Sequence, residues 1–177
     1  KGIVRVQVSA VSRVLAEKYE TIFKNAGITT IALEAESQAL ARAVTRERET
    51  KAALVVDIGK KETTVAIVHK GSVWFTSSFD AGGEMLTEAL SKELSLSHEE
   101  AEHVKCIYGI LPSMKHKEVA EVILKHFQIT EEKIRQHISY RGQMASEQNK
   151  EFFIERVVMC GGGSHIPGLA EYLSEKL

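Results

Sequence analysis

The chain contains 177 residues, a length typical of about one domain or slightly more. Its apolar fraction of 44% and its charged fraction of 27% are ordinary for a folded protein and exclude a disordered or collagen-like chain. The 23 basic and 24 acidic residues nearly cancel, so no overall field attracts nucleic acid or acidic lipid, and we expect no nucleic-acid partner. No apolar run approaches the ~18 residues of a membrane-spanning helix, and no signal peptide is apparent.

The two ends of the chain and its cysteines bear on its origin. A predicted strand follows Lys1 at once and a predicted helix runs to Leu177, so we expect a piece of a longer protein. Cys106 and Cys160 lie in apolar segments without metal-binding spacing. This placement predicts reduced cysteines in the core of a cytosolic protein.

The first 50 residues predict strands and helices in alternation. Residues 2–9 alternate β-branched and polar side chains, as a strand does. Ser12 precedes apolar residues at helical spacing, and Gly27 ends that helix. Residues 28–33 predict a second strand and residues 34–48 a second helix.

The pattern changes after a charged link. Residues 52–58 (AALVVDI) form a nearly continuous apolar run, which is typical of a strand buried on both faces. Tight turns then separate two further strands at 63–69 and 72–79, which completes a three-stranded meander.

The rest of the chain is predicted to be mainly helical. Four helices, a polar loop at 145–150, a strand and a final helix beginning at Pro167 follow the glycines at 82 and 83. The four helices are expected at 84–94, 97–110, 115–127 and 130–143, and the strand at 153–160.

The first motif with chemical potential lies between the first two strands of the meander. Asp57 ends a buried strand, Gly59 follows two residues later, and Thr63 and Thr64 begin the returning strand. Such a turn can direct backbone N–H groups and hydroxyls at a phosphate, with the carboxylate acting through Mg²⁺ and its waters. The same residues are also typical of a plain hairpin whose aspartate caps the turn.

The second motif joins the last strand to the last helix. Gly161, Gly162 and Gly163 remove every side chain from this turn, so a flat group can approach the backbone, and Ile166 follows. The dinucleotide-binding pattern GxGxxG is not matched, and a tight strand-to-helix turn explains the glycines equally well. Gly82 and Gly83 form a third such turn.

Together these segments resemble the actin-like ATPase superfamily. The order is a small-residue helix beginning at Glu34, a D-x-G hairpin in a meander, a GG turn with helices, and a strand with GGG-x-x-x-PG. The resemblance implies a partial actin-like (ribonuclease H-like) α/β fold, a central mixed sheet flanked by helices. It implies that residues 1–50 end an N-terminal lobe and that residues 51–177 form the second lobe.

Within the superfamily the chain resembles the PilM family of type IV pilus and competence machines over almost its whole length. The segments EAESQALARAV, LVVDIGKKETTVAIV, FDAGGEMLTEALSKEL and VVMCGGGSHIPGLAEYLSEKL carry this resemblance. FtsA, a division protein, is similar but matches less well after Gly83. The first phosphate loop of the superfamily has no counterpart here, so we expect these 177 residues alone not to bind ATP tightly.

The resemblance implies an ATP and Mg²⁺ site. Asp57 would hold Mg²⁺ through water, Glu34 would be the aligned catalytic acid, and Glu132 would lie near the ribose, although Lys133 occupies the aligned acid position. Lys61, where relatives often carry glycine, would either pair with phosphate or block its approach. The cofactor-binding set is Asp57, Gly59, Thr63, Thr64, Gly82, Gly83, Glu132, Gly161, Gly162, Gly163 and Ile166.

The resemblance also implies a partner and a location. The partner would be the cytosolic tail of a PilN-like inner-membrane protein, docked near residues 1–33, which would make the protein peripheral to the membrane through that partner. We expect a cytoplasmic protein at the inner face of the bacterial inner membrane, able to self-associate. Its expected role is that of a nucleotide-binding scaffold with at most weak ATPase activity.

Three alternatives remain open. An FtsA-like division protein would bind the tail of the division tubulin. A true ATPase or phosphotransferase on the same fold would need a base that activates water or a hydroxyl. A degenerate scaffold would bind no nucleotide.

Overall fold

The computed structural model describes residues 8–45, 51–111, 116–147 and 154–177. The predicted strand at 2–9 and the charged link after residue 45 lie largely outside these ranges. The described part contains six α-helices, four β-strands and one 3₁₀ turn. In chain order they are α1 (Arg13–Asn25), α2 (Glu36–Val44), β1 (Ala52–Ile58), β2 (Thr63–His69), β3 (Ser72–Phe79), α3 (Gly83–Glu93), α4 (His98–Tyr108), α5 (Lys117–Glu147), β4 (Ile154–Cys160), the 3₁₀ turn (Gly162–His165) and α6 (Leu169–Lys176).

The four strands form one mixed sheet in the order β3-β2-β1-β4. The hairpin pairs β1 with β2 antiparallel, with Ile58 opposite Thr63, and β2 pairs with β3 in the same way. At the turn the N–H of Gly59 donates to the carbonyl of Glu62 at 2.9 Å. β4 lies parallel to β1 on its other side, with Asp57 opposite Cys160. The predicted meander and central mixed sheet are therefore confirmed.

Helices cover both faces of this sheet, which explains the continuous apolar run of β1. Leu54, Val56 and Ile58 face a large cluster that includes Phe127 and Leu169, from the helical layer of α3 to α6. Val55 and its neighbours on β2 and β3 face the other way, against α2. Burying each large apolar side chain contributes about 1.5–3 kcal/mol, so this double burial holds the end of β1 in place.

The predicted break between residues 127 and 130 is wrong, because α5 is one continuous helix of 31 residues. Ile123, Phe127, Thr130 and Ile134 follow each other at helical spacing, and each is at most 2% exposed. Thr130 precedes two acids, as a helix cap does, but its side chain is buried on the apolar face. The predicted loop at 145–150 is wrong in its first part, because the helix continues to Glu147.

The predicted strand at 28–33 is also wrong. These residues form no β-ladder with any described residue, and Ile31 is 97% exposed. Ile28 and Leu33 are also exposed, at 55% and 45%, so the apolar side chains of this segment lack the half-buried surroundings that stabilise a strand. Helix α1 is confirmed between Ser12 and Gly27, but none of its residues is buried.

Two further details differ from the sequence prediction. The last helix begins at Leu169 and not at Pro167, because Gly168 adopts a left-handed conformation with φ of +82°. Both cysteines are free thiols, but Cys106 is exposed and not in the core. The buried face of α4 is occupied by Ala101 and Lys105, which leaves Cys106 on the adjacent face.

Candidate functional site

A cavity of about 700 Å³ lies where four separate segments of the chain meet. The β1–β2 turn, the start of α3, one face of α4 and the glycine turn after β4 each contribute to its wall. The residues that line it are Gly59, Lys60, Gly83, Glu84, His98, Glu102, Lys105, Cys106, Gly162, Gly163, His165 and Ile166.

The hairpin turn and the start of α3 are joined by backbone hydrogen bonds. The N–H of Gly83 donates to the carbonyl of Gly59 at 2.9 Å, and the N–H of Glu84 donates to the carbonyl of Lys60 at 2.8 Å. A Cβ on Gly82 would collide with the backbone of Gly59 and Lys60. The glycine at 82 thus permits this close contact, and these two amides at the start of α3 are used within the protein.

The three glycines after β4 have different surroundings. Gly161 adopts a φ of +74°, and a Cβ there would collide with Asp57 and the carbonyl of Ile58. A Cβ on Gly163 would collide with the side chain of Ile58. Gly162 lines the cavity, and a Cβ there would meet nothing within 4 Å. Packing therefore accounts for two of the glycines, whereas Gly162 leaves an open backbone face to the cavity.

The polar residues of the hairpin motif lie behind the cavity wall. Asp57 is half-buried beside the glycine turn and is not among the lining residues. The buried hydroxyl of Thr63 donates to the carbonyl of Ala81. Thr64 Oγ1 lies 2.8 Å from Ser78 Oγ across the β2–β3 ladder. Both threonine hydroxyls have protein partners, so their predicted contact with phosphate stays a prediction.

A buried lysine lies on the cavity wall. Lys105 is 5% exposed, and its ammonium donates to the carbonyl of Gly83 at 3.1 Å, to Thr87 Oγ1 at 2.6 Å and to Glu102 Oε2 at 2.6 Å. Burial acts to raise the pKa of Glu102, but the hydrogen bonds from Lys105 and Thr87 outweigh it and lower the pKa to about 2. The site therefore keeps an ionised carboxylate and an ammonium in contact.

The Lys105–Glu102 pair is not among the residues predicted from the sequence. One signal for it was available, since Lys105 follows Ala101 by four residues on the apolar side of a predicted helix. A lysine at a core position of a helix needs a partner, because an unpaired buried charge is costly.

A second ionic cluster lies on the same wall. Lys60 Nζ is 3.0 Å from Glu84 Oε2, and His98 Nε2 is 2.8 Å from Glu84 Oε1. Hydrogen bonds from Lys60 and then His98 lower the pKa of Glu84, and the bond with Glu84 raises the pKa of Lys60. Lys61, which was expected either to pair with phosphate or to block its approach, is exposed and does not line the cavity.

Two further predicted residues, Glu34 and Glu132, do not line this cavity either. Glu34 forms an ion pair with Arg42 of α2, and its side chain is 37% exposed. Glu132 is exposed on α5, while its neighbour Lys133 lies over the Phe79 ring, 4.9 Å from the centroid. Neither carboxylate lines the cavity, so the catalytic role of Glu34 and the ribose contact of Glu132 stay predictions. Of the predicted set, the structure brings together Gly59, Gly83, Gly162, Gly163 and Ile166.

The cavity has the volume of a small-molecule site, and Gly162 offers a flat face without a side chain. In the residues that the structure describes, no group of three or more His, Cys, Asp or Glu side chains could hold a metal by itself.

Comparison with known proteins shows the family. The model for "Type IV pilus assembly protein PilM" matches residues 3–177. FtsA of Streptococcus pneumoniae serotype 2 is 32% identical over 151 residues, which cover 77% of this chain and 33% of FtsA. The chain thus spans about a third of the length of that relative. No described helix is both long enough and apolar enough to span a membrane.

Two solved structures agree with this assignment at the level of the fold. A PilM–PilN type IV pilus biogenesis complex matches with a TM-score of 0.69 and 22% identity, over 92% of this chain and 45% of that one. MreB5 of Spiroplasma citri bound to ADP matches with a TM-score of 0.69 and 20% identity, over 94% of this chain and 59% of that one. The chain therefore belongs to the PilM family of type IV pilus assembly proteins, in the actin-like ATPase superfamily.

Proposed function

We propose that the full-length protein binds ATP in this cavity and serves as a nucleotide-gated cytoplasmic component of a type IV pilus or competence machine. The observation that carries the proposal is the open backbone face of Gly162 in a cavity that also contains the Lys105–Glu102 pair. No neighbouring atom of the protein requires glycine at position 162, because a Cβ there would have open space around it. A flat ligand bound against this backbone would require the side chain to be absent. Family membership supplies the expectation that the ligand is a nucleotide.

Several of the lining residues have a definite part in this proposal. Gly162, Gly163 and Ile166 would contact the base and its sugar, because they form the apolar and side-chain-free part of the wall. Glu102 would accept hydrogen bonds from sugar hydroxyls, since its carboxylate is held by Lys105 and stays ionised. When bound, ATP would bring its own phosphate oxygens as Mg²⁺ ligands, and Asp57 would reach the ion through water.

Any hydrolysis is proposed to be slow. Activation of water needs a base at the phosphates. Glu34 is the aligned candidate, but its carboxylate is paired with Arg42. A nucleotide-binding scaffold therefore suits these residues better than a fast ATPase.

The proposed partner is the cytosolic tail of a PilN-like inner-membrane protein. Several exposed apolar side chains between residues 8 and 33 support a docking role for this segment, since contiguous exposed apolar surface marks interaction sites. They are Val8, Val11, Val14, Leu15, Tyr19, Ile22, Ile28, Ile31 and Leu33. Such a partner would hold the protein at the inner face of the membrane, where self-association would be favoured by local concentration.

A specific observation favours a second candidate function. FtsA is the curated relative at 32% identity, so a role in cell division on the same fold is the alternative. Its partner would be the C-terminal tail of the division tubulin rather than a pilus protein.

The test uses the full-length protein that carries this sequence, with Mg-ATP present. It is titrated with two synthetic peptides, the cytosolic tail of the PilN-like protein and the C-terminal tail of the division tubulin from the same genome. Saturable binding to the first peptide alone supports the pilus role, and binding to the second alone contradicts it. ATP affinity is measured in parallel by calorimetry, and a protein that binds no ATP contradicts the nucleotide part of the proposal.

A further inference from the structure

The cluster of Lys60, Glu84 and His98 has no part in the function proposed above. Glu84 lies at the start of α3, and its two carboxylate oxygens are each taken by one basic side chain, at 3.0 and 2.8 Å. The Glu84 side chain is 25% exposed, whereas Lys60 and His98 are 72% and 57% exposed. Two exposed basic groups are thus held by one partly buried carboxylate at the cavity wall.

The ion pairs of Glu84 with Lys60 and His98 determine the local charge that an anion encounters at the cavity wall. Lys60 is the basic side chain that the β1–β2 turn brings to the wall, but Glu84 neutralises it there. The pKa values of Glu84 and Glu102 are both lowered, so both carboxylates are ionised at neutral pH. Glu102 also lies near enough to Lys60 to act on it electrostatically. A phosphate chain entering the cavity would therefore compete with carboxylates for Lys60 and be repelled by them.

We propose that Glu84 is a specificity-determining residue that sets how strongly the cavity discriminates against phosphate charge. Because Glu84 forms ion pairs with Lys60 and His98, it disfavours nucleotides in proportion to their number of phosphates. A bound phosphate replaces Glu84 as the ion-pair partner of Lys60. The proposal rests on the function proposed above, since the ligand must be a nucleotide bound in this cavity. It adds a property of Glu84 that nucleotide binding as such does not require.

The experiment compares adenosine, ADP and ATP as ligands of the full-length protein by calorimetry. Glu84→Gln keeps the size of the side chain and removes its charge. We expect ATP to bind about two- to fivefold tighter, the range of exposed ion pairs, with a smaller gain for ADP and none for adenosine. The gain should shrink as the salt concentration rises, because salt screens exposed charges. Glu88→Gln removes an exposed charge one turn further along α3 and should change none of the three affinities.

A second variant covers the case in which Glu84→Gln does not fold. Lys60→Gln leaves the exposed hairpin tip otherwise intact and should weaken ATP binding relative to adenosine. An unchanged ratio of ATP to adenosine affinity in either variant, or an equal change in Glu88→Gln, overturns the proposal about Glu84. A wild-type protein that binds none of the three ligands overturns the proposed nucleotide function as well, so the two failures are distinguishable.

Discussion

The glycine turn allows a sharp test, because its three glycines differ in what surrounds them. Alanine at 162 would place its Cβ in open space, with no atom within 4 Å, whereas alanine at 163 would collide with the side chain of Ile58. Gly162 does not adopt a positive φ, so alanine there needs no strained backbone. The two substitutions add the same methyl group one residue apart, which makes each the control of the other.

The expected magnitudes follow from these surroundings. Forcing a methyl group against Ile58 is overpacking and should lower the free energy of unfolding by about 1–3 kcal/mol. Gly162→Ala should leave the stability unchanged or raise it by up to about 1 kcal/mol, because alanine restricts the unfolded chain. If the ligand lies against Gly162, the same methyl group should weaken ATP binding by at least about fivefold, the lower end of the overpacking range.

The assay combines urea unfolding, followed by circular dichroism, with ATP titration of the full-length variants. The expected result separates the two properties, since Gly163→Ala loses stability while Gly162→Ala keeps stability and loses affinity. If Gly162→Ala destabilised the protein as much as Gly163→Ala, the face at 162 would not be open. If it left ATP affinity unchanged, no ligand would lie against that face.

Three further predictions concern single interactions. The pKa of Glu102 is lowered to about 2, so its ionised form stabilises the fold at pH values above the ordinary pKa near 4.5, and this stabilisation is lost as the pH falls from about 4.5 towards 2. In Glu102→Gln, the free energy of unfolding measured with urea should therefore depend less steeply on pH in this window. An equally steep dependence would contradict the assignment. Thr63→Val should cost about 1–3 kcal/mol by leaving the buried carbonyl of Ala81 unpaired, measured by urea unfolding with the exposed Thr21→Val as control. Thr130→Pro should cost about 3 kcal/mol or more because α5 is continuous there, and a thermal scan showing no loss would restore the predicted break.

The sequence predicted those parts of the fold whose signal is local. The run AALVVDI of β1 is apolar at almost every position, and such a run predicts a strand covered on both faces whatever the partners are. The turns at Gly59 and Gly71 are equally local. The sequence groups the glycines at 161–163 as one turn, but only the structure separates Gly162, which lines the cavity and has open space around it, from its two packed neighbours.

The errors fall where the outcome depends on distant contacts. Thr130 is followed by two glutamates and reads locally as a helix start, yet its burial on the sheet side keeps α5 continuous. The segment 28–33 has strand-forming residues, but Ile28, Ile31 and Leu33 are exposed, so their burial does not stabilise a strand there. Lys105 and Glu84 lie at the site because α3 and α4 pack beside the hairpin. No local sequence pattern specifies this packing. Charged site residues are thus the hardest to predict when their partners lie on other elements.

The hydrogen bonds between the segments show how a ligand in the cavity would act on the rest of the molecule. The carbonyls of Gly59 and Lys60 accept from the first amides of α3, and Lys105 of α4 donates to the carbonyl of Gly83. A ligand that displaces the β1–β2 turn must therefore break these bonds or move with it the start of α3 and, through Lys105, the last turn of α4. Breaking several hydrogen bonds costs more than a small joint displacement, so we expect the turn, the start of α3 and α4 to move together. A ligand changes the conformation only if it contacts the two arrangements differently, and the Lys60–Glu84 pair is a contact that a phosphate would change.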